Sequence, residues 1–141
     1  MVNSSLIAEL EELVHKHIAV VDLAKKALRK AKRSGDTSSL DDRAQKLIEI
    51  STRLESILTS IDRDFSSLAR DPDSRERLEL LLFFLQEVSL REESDFWKSL
   101  SKLRSKGLMK ESAATELAEA MAGRSERLRR QALDLLEKVK S

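Results

Sequence analysis

The stretch Leu78 to Leu103, LELLLFFLQEVSLREESDFWKSLSKL, carries about twice the helix-period hydrophobicity that one buried face requires. At about 100° per residue, Leu78, Leu81, Leu82, Leu85, Val88, Phe96, Leu100 and Leu103 fall on one stripe of an α-helix. Phe83, Leu90 and Trp97 form a second stripe on the opposite side. A helix packed in a monomeric bundle is polar on its back, so the second stripe needs a cover of its own. With Leu80 and Phe84 at its edges, it predicts a partner-binding face made of Leu80, Phe83, Phe84, Leu90 and Trp97. The competing account is that this helix is central in an unequal bundle and is covered on both sides by its own chain.

Outward from this segment the helical period continues. Before it, Leu40, Ala44, Leu47, Ser51, Leu54, Leu58, Ile61, Phe65 and Leu68 alternate by four and three, with Ser51 the only polar member of a coiled-coil-like seam. Asp71-Pro72 separates the two helices, because the residue before proline avoids helical backbone and proline suits the first helical position. Earlier still, Leu6, Leu10, Leu13, Val14, Ile18, Val21, Ala24 and Leu28 share a face, with Ser4 and Ser5 as N-cap candidates and Gly35-Asp36 as the reversal. The last helix uses Ala114, Leu117, Ala118, Met121, Leu128, Ala132, Leu135, Leu136 and Val139, and weakens at Gly123 to Ser125.

The expected fold is therefore all-α. Four helices, over about 5–33, 39–70, 72–106 and 110–140, form a single domain spanning 1–141, an antiparallel up-down-up-down bundle with coiled-coil-like packing. The short turns predict antiparallel neighbours. One alternative stays open: Ser89 to Glu92 has the pattern of a capping box, so the third helix either continues through Ser89 or kinks and restarts there.

Composition narrows the function. Twenty-six basic and 25 acidic residues leave a net charge of +1, so no global field draws the chain to nucleic acid or an anionic membrane. The absence of cysteine removes thiolate metal sites and thiol nucleophiles together and suits a reducing cytoplasm. The opening segment, with Glu9, Glu11 and Glu12, does not read as a secretory signal. The longest apolar run, Leu80 to Leu85, falls far short of the roughly 20 residues of a membrane span.

Chemistry has little foothold. His15 and His17 lie about 200° apart on a helix and cannot share a metal, and His17, near the apolar stripe, reads as structural. No serine sits in a nucleophile elbow, and Gly35, Gly107 and Gly123 are too isolated for a phosphate loop. No catalytic, cofactor-binding or metal residue is expected; a pocket around the seam residues Glu92 and Arg124 is the one route to a small-ligand sensor or enzyme. Cations gather where the first helix ends (Lys25, Lys26, Arg29, Lys30, Lys32, Arg33) and where the third ends (Lys98, Lys102, Arg104, Lys106), so one pole becomes positive, an order that the helix dipole favours and that Asp36, Asp41 and Asp42 partly offset. No aromatic residue is interleaved there to stack on bases, which speaks against nucleic acid.

The run from Gly35-Asp36 through Leu40 to Arg43, Lys46, Leu47 and Ile48 resembles the small helical flagellar export chaperones of the FlgN and FliT kind, over about residues 5 to 70. The last helix, at Gly123-Arg124-Ser125, lacks the asparagine-rich pattern of that family. The resemblance implies cytoplasmic binding of an amphipathic helix from a secreted subunit, without catalysis. The expected function is thus a non-catalytic protein-binding module, an adaptor or chaperone. The alternative is a structural homo-oligomer, most simply a homodimer that pairs two copies of the third helix.

Overall fold

The computed structural model describes residues 2–141, with side chains from Ser5 onward. Among the described residues every regular element is helical. They are α1 (Val2–Ser34), α2 (Ser38–Arg63), a short α3 (Phe65–Leu68), α4 (Pro72–Phe84), a π-helical turn (Leu85–Ser89), α5 (Leu90–Ser105) and α6 (Ala113–Lys140). Because α1 extends back to Val2, Ser5 is interior to it and caps nothing; the side chain of Ser4 lies outside the described residues.

Local chemistry sets most boundaries. Gly35 takes φ +78°, a left-handed conformation that is easy only for glycine, and ends α1. Asp36 Oδ1 then accepts from the Ser38 backbone N–H and hydroxyl as α2 begins. Asp71 caps α4 by accepting from the Ser74 N–H, with Pro72 at the first helical position. The last helix starts at Ala113 rather than near Lys110, because Ser112 and Thr115 form a capping box there. The second helix stops at Arg63, short of the expected 70, and α3 with the bend after it carries the chain to Pro72.

Side-chain pairs fix how the rods sit. Glu11 with Arg77 and Lys25 with Glu92 put α1 beside the α4–α5 rod, running the same way. Asp41 with the Ala114 N–H, Thr52 with Arg124 and Asp62 with Lys138 put α2 beside α6, also running the same way. Lys98 with Glu126 and Arg75 with the Val139 carbonyl make α6 antiparallel to the α4–α5 rod. The expectation that short turns make all neighbours antiparallel is corrected. The link over residues 64–71, with α3 packed on both α1 and α2, takes the chain past α1, so that two of the side-by-side pairs run parallel.

The π turn explains the two apolar stripes. In α5 the buried side chains are Leu90, Glu93, Ser94, Phe96, Trp97 and Leu100, with Leu90, Glu93, Trp97 and Leu100 along one line of the helix. Continued backwards as a straight α-helix, that line would run through Gln86, Phe83 and Glu79. Gln86 is buried, but Phe83 and Glu79 are not; the apolar residues enclosed are Leu85, Leu82 and Leu78, each one position earlier. A π turn holds one extra residue, and that slip of about 100° puts leucines rather than Glu79 and Phe83 at the core. In α5 members of both stripes are buried, Phe96 and Leu100 of the first and Leu90 and Trp97 of the second, whereas in α4 Leu78 and Leu82 of the first are buried and Phe83 of the second is not.

Candidate functional site

Leu90 and Trp97, expected on a partner-binding face, are fully enclosed by their own chain. This corrects the predicted surface, and the register slip is the reason: beyond Ser89 the second stripe turns inward. Phe96 meets Trp97 edge-to-face, with ring centroids 4.9 Å apart. The three predicted residues on α4 stay outside. Leu80 is 63% exposed, Phe83 54% and Phe84 37%. They sit at i, i+3 and i+4, so they form one contiguous apolar patch on a rod whose core requirement Leu78, Leu82 and Leu85 already meet.

Beneath the patch, the turn is anchored by a buried polar network. His17 on α1 places Nδ1 on Ser89 Oγ, the last residue of the turn, and Nε2 2.7 Å from Glu93 Oε1. Ser51 of α2 donates to Glu93 Oε1 at 2.7 Å, and the Trp97 indole N–H donates to Oε2 at 2.9 Å. Burial by itself would push the Glu93 carboxyl up. The hydrogen bond and charge of His17, followed by the Ser51 and Trp97 donors, outweigh it and hold the group below the usual carboxylate range. One carboxylate with three donors thus ties α1, α2 and α5 together at the slip. On the far side, Arg129 of α6 donates its Nε–H to the Gln86 carbonyl at 3.1 Å. That is a useful bond where i→i+5 spacing disturbs the regular ladder.

Serine, histidine and carboxylate in a line invite comparison with a hydrolase triad, but Ser89, His17 and Glu93 are all buried and Ser89 has no path for substrate among the described residues. What the arrangement does is satisfy buried polar groups and fix a register. Sequence reading placed His17, Ser51 and Ser89 on or near apolar seams but missed Glu93. The signal was there: Glu93 falls three residues after Leu90 and four before Trp97, on the same face as both.

The pocket envisaged around Glu92 and Arg124 does not form. Glu92 pairs with Lys25 on the α1 side, whereas Arg124 donates to Thr52 Oγ1 at 2.7 Å on the α2 side. The expected cationic pole does form, since parallel α1 and α5 bring their basic ends together along a shared groove. No helix of the described residues is long and apolar enough to cross a membrane. No protein family, curated protein or solved structure matches the chain.

Proposed function

We propose that this chain is a non-catalytic protein-binding module, an adaptor or export-chaperone-like protein of the cytoplasm, whose long helices form an up-down-up-down bundle with coiled-coil-like seams. Its partner is an amphipathic helix held against α4. The observation that carries the reading is the exposure of Leu80 and Phe83 beside a core that does not need them. Large apolar side chains of this kind bury about 1.5 to 3 kcal/mol each when covered. The resemblance of the first helical hairpin to flagellar export chaperones points the same way. The enclosure of Ser89, His17 and Glu93 supports a role without catalysis.

Self-association is the second reading, favoured by the same patch, because Leu80, Phe83 and Phe84 are self-complementary across a two-fold axis. Affinity capture from the native lysate with wild type and with Leu80→Glu/Phe83→Glu tests the first, with circular dichroism as the folding control. A partner lost from the folded double variant supports it; an unchanged set of partners overturns it. Sedimentation equilibrium separates the second reading, since a dimer that the double variant dissociates makes the partner a second copy.

A further inference from the structure

The parallel packing of α1 and α5 leaves a groove that runs down the molecule from the π turn. Its upper part is floored by Ile18, Val21 and Val88 and has a volume of about 540 Å³. It continues past Leu28 and Phe96, then past Leu103 and the exposed Leu108, and successive parts share Lys25, Arg29, Lys32 and Ser99 along their edges. From Ile18 to Lys32 it spans about 21 Å, or roughly four turns of a helix laid in it. At the top it reaches Val88 in the π turn, four residues after Phe84 on the same rod.

Charge is distributed unevenly along it. At the upper end Lys25 is paired with Glu92, and Asp22 with Lys26. At the lower end Lys32 of α1 faces Lys102 of α5 and Lys106 just after it, Arg29 lies above them in the middle part, and none of these four makes an ion pair among the described residues. Asp95 is the one acid lining that part. The helix dipoles of α1 and α5 account for cations near two C-termini. They do not account for an apolar floor left open between them.

Resting on the helix-binding reading above, we propose that this groove receives a partner-protein helix that runs antiparallel to α1 and α5. Its first two turns carry Asp and Glu against Arg29, Lys32, Lys102 and Lys106, and leucine-type side chains further along fill the space over Ile18, Val21 and Val88. The direction follows from electrostatics. An antiparallel guest sets its positive N-terminal end against the two negative C-terminal ends, and acidic residues are themselves favoured in first helical turns. Helix-in-groove recognition supplies the apolar part, and complementary rim charge supplies selectivity.

The test uses three labelled 20-residue peptides with one leucine stripe and, in the N-terminal half, glutamate, lysine or serine at the polar positions. Binding to the full chain is followed by fluorescence anisotropy at low and high salt. The glutamate peptide is expected to bind at least about tenfold more tightly than the lysine peptide at low salt, with the ratio shrinking as salt rises. Lys32→Glu/Lys102→Glu, at exposed positions, is expected to reverse the order while helicity is unchanged. Equal binding of all three peptides, lost in Leu80→Glu/Phe83→Glu, overturns the acidic assignment and leaves the helix-binding reading standing. Failure of every peptide to bind overturns both. Binding to phosphatidylserine vesicles that Lys32→Glu/Lys102→Glu abolishes, without peptide binding, overturns the proposal in favour of a lipid surface.

Discussion

Along α5 the buried side chains Leu90, Glu93, Ser94, Phe96, Trp97 and Leu100 keep to one broad face, and the opposite face carries Arg91, Asp95, Lys98 and Lys102. The last two turns of α4, in the same rod, have leucines inside at 78 and 82 and large apolar residues outside at 80 and 83. The two halves meet at a π turn held by His17, Glu93 and Arg129. The difference shows two separate demands on one helix. In α5 burial alone sets the pattern; in α4 burial is satisfied after a one-residue slip, and an apolar surplus remains that packing does not explain.

The register account is broken or sharpened most by changing the chain length. Inserting one alanine after Phe84 turns α4 back by about 100°, pointing Glu79 toward the core and Leu78 and Leu82 away from it. The expected loss is at least about 4 kcal/mol in urea unfolding, from lost leucine burial and a desolvated carboxylate. Deleting the part-exposed Val88 does the opposite. It removes the extra residue, lets the rod become regular α-helix, and keeps Leu78, Leu82 and Leu85 inside. A change within about 1 kcal/mol is expected, and comparable losses from insertion and deletion would refute the slip.

This asymmetry also explains what was legible in advance. Helical content, the Asp71-Pro72 break and the Gly35 reversal follow from local chemistry, and the sequence shows them directly. The surplus of Leu80, Phe83 and Phe84 was legible too. The inward turn of Leu90 and Trp97 was not, because a fixed 100° period cannot register a single π step. Only the polar Ser89, read as a break or restart, marked the place. Neighbour relations were likewise hidden, since they depend on the path of residues 64–71 past α1 rather than on any periodicity.

Trp97→Ala and Phe83→Ala compare the two halves directly. The first removes the largest enclosed side chain and one of the three donors to Glu93, and about 4 kcal/mol of stability is expected to go with it. Phe83→Ala, half-exposed, is expected to cost less than about 1 kcal/mol. Similar costs would place Phe83 in the working core and remove it from the docking surface.

Glu93→Gln comes next in size. The amide offers one acceptor oxygen where the carboxylate offered two, and its NH2 faces a donor, so a loss of about 2 kcal/mol is expected. The pH dependence identifies the cause. Because the folded-state carboxyl is held below its ordinary range, its contribution is complete above about pH 4.3 and is lost as the pH falls through the folded-state value. Urea midpoints of wild type should therefore decline more steeply with acid than those of Glu93→Gln. Parallel declines would mean that the carboxylate is not what holds α1, α2 and α5 together at the turn.

The smallest effect on stability is expected at Leu80, and it separates surplus from structure. Leu80→Gln exchanges an exposed apolar side chain for a polar one on a helix, where both residues have similar helix propensity, so stability should move by less than about 0.5 kcal/mol. If α4 is apolar only because nothing opposed it, the variant should behave like wild type in every assay. If the patch is where a partner helix lies, the same variant should weaken peptide binding severalfold while its unfolding curve overlays the parent's. A shift in the curve without a change in binding would return Leu80 to the fold.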